Sequence, residues 1–287
     1  MSGIVVATDF STRSDRAIRR AVLLAKGRGS PLTLVHVVDD DQPAGIIASE
    51  VAAASALLDE QARSLREHDG VECDPRIVRG DPFAGIAAAV EDCDAELLVI
   101  GPHRRQVLRD IFVGTTAERT IRASRRPVLM ANGVPAGAHR HTLIAVDLSP
   151  GSADAVRAAI GLGFAEHTAV SVLHVFDAPG IGPVAGAALT ARQAADYLAG
   201  EERPAGEALA RFLAEVGLAP DVRLLKPGAT AAASVILATA QSVSADLVVV
   251  GTRGRTGMGK LLLGSVAEAV MGAADVDVMA VPPRHGD

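Results

Sequence analysis

Late in the chain the apolar run 246–250 leads into Gly251-Thr252-Arg253-Gly254, and after nine intervening residues comes Gly264-Ser265. A strand that ends in a glycine turn, with a second glycine and a hydroxyl opening the next helix, suits an anion. Glycines let backbone N–H groups approach closely, and a helix N-terminus adds unpaired donors and a favourable dipole. The ligand class that fits this chemistry is a nucleotide. Arg253, Arg255 and Lys260 either add charge toward a polyphosphate or are solvated loop charges. Ser265 to Glu268 and Thr115 to Glu118 also fit a capping box, which is a purely structural use of the same residues. The pattern is neither a P-loop nor a Rossmann G-x-G-x-x-G, and no Ser-His-Asp series, HExxH or Cys/His metal spacing accompanies it. Binding is better supported than catalysis, and no metal-ligating set is expected.

Two carboxylates stand at related places. Asp9 closes the first apolar run of the chain, and Asp147 closes a second run of the same kind. Each either accepts from ribose hydroxyls or an adenine amino group, or accepts locally from the N–H groups of the following turn. Ser149-Pro150 reads as an N-cap followed by proline at the first helical position. His36 and His174 lie inside apolar runs and read as core histidines bonded to backbone. Cys73 and Cys93 are too few for a disulfide framework and read as reduced thiols.

The elements that position these groups come in two copies. Residues 4–11 match 143–149, and 32–39 match 170–177, at an offset of 138 positions; 97–101 match 247–251, and 114–118 match 264–268, at an offset of 150. A duplicated unit with an insertion in the second copy explains the change of offset, and the glycine- and proline-rich stretch 178–186 is the expected place for it. The join falls at 132–138, giving domains at 1–133 and 139–287, each of ordinary domain size.

Within each copy, short apolar β-branched runs alternate with helical stretches. Strands are expected near 3–8, 32–38, 71–78, 96–101 and 126–131, then 142–147, 169–175, 221–226, 246–251 and 277–281. Helices are expected near 12–28, 46–68, 82–92 and 115–123, then 150–164, 187–216, 229–242 and 265–272. Strands apolar at nearly every position and separated by helices imply an α/β fold with a parallel sheet covered on both faces. Ligands of such sheets sit beyond the carboxyl ends of the strands. The net charge of −6 and an aromatic content of 2% argue against nucleic-acid and anionic-membrane partners. No apolar segment approaches the roughly 20 residues of a membrane span and no signal peptide opens the chain, so a cytoplasmic protein is expected.

With the strand-ending aspartates, the His-Val second strand and the glycine motif in place, nearly the whole chain resembles a tandem universal stress protein. The resemblance implies two open five-stranded parallel sheets in the order 3-2-1-4-5, of the adenine-nucleotide α-hydrolase-like kind. It implies ATP, or ADP or AMP, as ligand, with Mg2+ as a possible companion. Ala145, Val146 and Asp147 would line adenine and ribose, Val175 would pack on the base, and Val250 would sit beside the ribose. Gly251, Arg253, Gly254, Gly264, Ser265 and Val266 would hold the phosphates.

In the first copy the matching positions are Thr8, Asp9, Val37, Gly101, Arg104, Gly114 and Thr115, and Arg104 replaces the second glycine of the turn. A Cβ and a long cation stand there, and arginine adopts a positive φ less readily than glycine. Arg104 either occludes the site or serves as a phosphate ligand, and a weakened or empty first site is favoured. A slow ATPase or related enzyme, and a ligand-free interaction protein, are the competing readings. The resemblance also implies a homodimer and pairing through the fifth strands. Their edges, near 126–131 and 277–282, can meet within one chain and so satisfy exposed backbone groups.

Overall fold

The computed structural model describes residues 3–102, 115–181, 190–228, 230–254 and 263–284. In the first copy the strands are β1 (Ile4–Ala7), β2 (Leu32–Val38), β3 (Cys73–Arg79), β4 (Leu97–Ile100) and β5 (Val128–Met130). The helices are α1 (Thr12–Arg28), α2 (Ala44–Ser64), α3 (Pro82–Asp92) and α4 (Thr116–Ala123), and a π turn, Leu65–Asp69, continues α2. The strand order is β3-β2-β1-β4-β5, and each neighbouring pair is parallel. Ile4, Val5 and Val6 of β1 and Leu98 and Val99 of β4 are wholly buried, as continuous apolar runs must be when helices cover both faces. Helix α1 packs on β1 and β4, and α2 packs on β2 and β3.

The second copy repeats the plan with β6 (His141–Val146), β7 (Ala169–Phe176), β8 (Val222–Pro227), β9 (Leu247–Gly251) and β10 (Asp277–Val281). Its helices are α5 (Pro150–Gly161), α6 (Ala191–Val216), α7 (Ala232–Ser242) and α8 (Ser265–Ala273). Its strand order is β8-β7-β6-β9-β10, which is the expected 3-2-1-4-5 arrangement. Helix α6 opens with a complete capping box between Thr190 and Gln193; residues 182–186 of the expected insertion lie outside the described residues.

The chain forms two compact units. The first comprises Met1–Ala138 with Asp275–Ala280, and the second comprises His139–Ala274 with Val281–Asp287. The first unit therefore takes in most of β10, which runs antiparallel to β5 with Val278 opposite Met130, Met279 opposite Leu129 and Ala280 opposite Val128. The expected pairing of fifth strands is present, and it gives β5 a partner for its otherwise open edge. The same unit holds a buried ion pair. Arg20 of α1 and Asp277 of β10 approach to 2.6 Å with side chains 5% and 0% exposed. Asp277 also accepts the Gly133 N–H at 2.8 Å, and Arg20 donates to the Gly137 carbonyl at 2.6 Å. Among the described residues, no helix is long and apolar enough to cross a membrane.

Candidate functional site

The site of the second copy is built where β6 and β9 end. After Val146 the chain passes through Asp147 and then Leu148, which takes a left-handed φ of 63°. That reversal delivers Ser149 to the N-cap of α5, where its hydroxyl accepts the Ser152 N–H, with Pro150 next to it. Asp147 Oδ1 accepts from the Ser149 N–H at 3.1 Å and from the hydroxyls of Ser149 and Ser152. The local reading of Asp147 therefore accounts for one carboxylate oxygen. The other, Oδ2, is turned to the glycine turn, where a Cβ added at Gly254 would stand 2.6 Å from it.

That contact changes the reason for the glycine. Gly251, Gly254 and Gly264 are not among the positive-φ residues, so torsional freedom is not what the motif requires. Space is. A Cβ on Gly151, in the first turn of α5, would lie 2.7 Å from the Arg253 carbonyl oxygen. Backbone thus packs against backbone or carboxylate at both places, and any side chain would push the turn outward. The two ends of the motif are joined by the Gly264 N–H donating to the Thr252 carbonyl, and Thr252 donates to Val281, both at 2.8 Å.

The expected capping box at Ser265 does not form. Helix α8 is capped by Gly264, which has no side chain, and Ser265 stands one residue inside the helix with no cap hydrogen bond made. In α4 of the first copy the matching hydroxyl is the cap, with Thr115 accepting the Glu118 N–H at 3.2 Å. The N-cap residue of α8, Gly264, offers the first-turn amides no side-chain acceptor of its own, a geometry that favours an anion.

Ala145, Val146, Asp147, Val175, Val250, Gly251, Arg253, Gly254, Gly264, Ser265 and Val266 all border one cavity of about 730 Å³, within the usual range for small-molecule sites. Ser152, Asp177 and Ile236 border it too and fall outside the motif. Asp177 was legible only as the end of the β7 repeat match, and Ile236, from α7, carries no local signal. His174 Nδ1 lies 2.9 Å from the Val146 carbonyl, and His36 Nδ1 lies 2.8 Å from that of Thr8. Each histidine ties the second strand of its copy to the first, as core histidines do.

In the first copy Thr8, Asp9, Val37, Gly101 and Thr115 border a cavity of about 450 Å³, while Arg104 and Gly114 lie outside the described residues. Burial pushes the Asp9 carboxyl up, but hydrogen bonds from Ser11 and Ser14 and the charge of Arg13 outweigh it and hold the group below its ordinary value. Arg13, 3.8 Å from Asp9, occupies the position that Gly151 has in the second copy. Both close-packing glycines of the second site, Gly151 and Gly254, are therefore arginines in the first.

Comparison with known proteins gives a consistent result. The profile described as "Universal stress protein family" matches residues 1–132 and 139–282. A universal stress protein of Mycolicibacterium smegmatis is 29% identical over 98% of this chain and 97% of its own. Universal stress protein Rv2005c of Mycobacterium tuberculosis is 27% identical over 96% of each chain. The crystal structure of a universal stress protein from Archaeoglobus fulgidus aligns with a TM-score of 0.69 at 19% identity, covering 99% of this chain and 98% of that one.

Proposed function

The chain belongs to the universal stress protein family in tandem form, and from that premise we propose that it is a cytoplasmic regulatory protein that binds an adenine nucleotide, ATP or its di- or monophosphate. The nucleotide is held mainly in the second of two domains, 1–133 and 139–287. Ala145, Val146, Asp147, Val175 and Val250 take the base and ribose. Gly251, Arg253, Gly254, Gly264, Ser265 and Val266 take the phosphates. Nucleotide occupancy then alters the surface offered to other proteins, including a second copy of the chain.

The observation that supports this most is the start of α8. An N-terminus capped only by glycine opens onto a large cavity, beside a turn kept free of side chains by contact with Asp147. The first copy, with its helix capped by its own threonine, serves as an internal contrast. Calorimetric titration with ATP and Mg2+ should give one strong site per chain, and the site should be lost in Gly264→Asp because the carboxylate confronts the phosphates. The thermal midpoint of the wild-type chain should rise with ATP, since a ligand that binds only the folded state stabilises it. Two equal sites, or no saturable heat at millimolar ATP, would overturn the reading.

A further inference from the structure

Between the end of β2 and helix α2 the first copy has a second hollow, of about 290 Å³. Its floor is apolar. Phe10, Ala53 and Leu57 border it together with His36, whose ring centroid lies 4.5 Å from that of Phe10. Its rim is acidic. Asp39 and Glu50 border it, and one carboxylate oxygen from each of Asp39, Asp40 and Asp41 lies within 4.8 Å of the others. From His36 to Ala62 the chain carries no lysine or arginine, and among the described residues none of these four carboxylates is in a salt bridge. Leu57 is 49% exposed, so a large apolar side chain is offered to solvent beside unmatched negative charge.

The second copy closes the matching corner with its own chain. At the offset of 138 Gln42 answers Gly180, and, counted back from the glycines that end the two helices, Gly70 and Gly217, Glu50 answers Tyr197. Both pairs touch: the Gly180 N–H donates to the Tyr197 hydroxyl at 3.1 Å, and Gln42 Nε2 donates to Glu50 at 3.4 Å. The Tyr197 ring leaves no room for a side chain at Gly180, where a Cβ would stand 2.8 Å from it. Beside this pair Ala178 is buried, whereas its counterpart Asp40 is exposed, and Pro179 is answered by Asp41. The first copy has thus exchanged an aromatic ring and an apolar strap for a carboxylate rim around an open hollow.

We propose that this hollow is a docking site for a basic segment of another protein, anchored by one aromatic side chain. The anchor lies against Phe10, His36, Ala53 and Leu57, and lysines or arginines flanking it meet Asp39, Asp40, Asp41 and Glu50. A ring suits the floor because aromatic side chains bury a large area and pack favourably against other rings; in the second copy Tyr197 supplies such a ring from within the chain. The rim sets the sign of the partner, since complementary charge speeds encounter while acidic proteins, nucleic acids and anionic lipid surfaces are repelled. The hollow uses none of the glycine motif, so this assignment is independent of the nucleotide reading.

The chain contains no tryptophan, so a tryptophan in the probe reports its own burial. The probe is a synthetic peptide with one tryptophan between two pairs of arginines, titrated with the full-length chain. Its emission should shift to the blue and saturate at one peptide per chain, with affinity falling about tenfold or more from low to high salt. Ala53→Tyr, which fills the hollow without changing charge, should weaken binding about tenfold or more. Asp40→Asn with Glu50→Gln should weaken it about fivefold or more and flatten the salt dependence. All three positions are exposed, so the fold tolerates these changes. Glu202→Gln with Glu215→Gln, which removes the same charge from exposed positions of α6, should leave the affinity unchanged. No saturable shift, equal binding of a peptide with glutamates in place of the arginines, wild-type affinity in Ala53→Tyr, or an equal loss in the α6 variant would overturn the proposal. A concentration-dependent dimer of the chain that Ala53→Tyr abolishes would assign the hollow to a second copy and overturn it as well.

Discussion

Replacing Asp277 by alanine removes a carboxylate that has no exposed surface and leaves Arg20, itself 4% exposed, with its guanidinium in the interior. The variant loses the 2.6 Å ion pair to Arg20 and the acceptor of the Gly133 N–H, while Arg20 keeps the Gly137 carbonyl. Removing one partner of a buried pair typically costs about 3–5 kcal/mol, because the remaining charge is left uncompensated. Against a typical domain stability of about 5–15 kcal/mol, that is a large fraction. With a urea slope of about 2 kcal/mol per molar, the midpoint of the transition carried by the first unit should fall by about 1.5–2.5 M.

Circular dichroism in urea reads this shift, and amide exchange at Val278, Met279 and Ala280 reads whether β10 loosens from β5. The double variant Arg20→Met with Asp277→Leu should recover most of the loss, since apolar groups of similar volume often replace a buried pair without penalty. A midpoint shift in Asp277→Ala smaller than about 0.5 M would correspond to less than about 1 kcal/mol and would refute the reasoning.

Two further outcomes are expected. Gly254→Ala places a Cβ 2.6 Å from Asp147 Oδ2, so the turn or the carboxylate must shift. ATP affinity should drop about tenfold or more, equal to about 1.4 kcal/mol, in calorimetry, and unchanged affinity would remove the steric account of the motif. Asp246 accepts the backbone N–H groups of Arg140 and His141 at 3.0 Å. Burial raises its carboxyl, but these bonds outweigh burial and hold it below its ordinary value of 3.8. A folded value below the unfolded one gives stability that is complete above the unfolded value and lost as pH falls through the folded one. Asp246→Asn should therefore cost about 1 kcal/mol at pH 7, discounted for partial exposure. At pH 2 it should cost much less, and equal losses in urea titrations at the two pH values would contradict the linkage.

The sequence by itself determined the elements and their repetition. Continuous apolar runs such as 97–100 and 247–250 are strands because both faces are covered, and the offsets of 138 and 150 assign each a partner in the other copy. The glycine motif and the strand-ending aspartates were legible for the same reason, since short-range spacing is written directly in the chain. Nothing local distinguishes the cap of α8 from that of α4, because Gly264-Ser265 and Gly114-Thr115 are near-identical as text. Only the folded chain starts α8 at Gly264 and α4 with Thr115 as its cap. The need for glycine at 254 arises from Asp147, the gap at Gly151 arises from Arg253, and the charge of Arg20 is met by Asp277. Each of these pairs brings together segments about a hundred residues or more apart. Local propensity and periodicity act over a few residues, whereas steric exclusion and the cost of a buried charge act wherever packing brings two segments into contact, and that juxtaposition exists only in the tertiary structure.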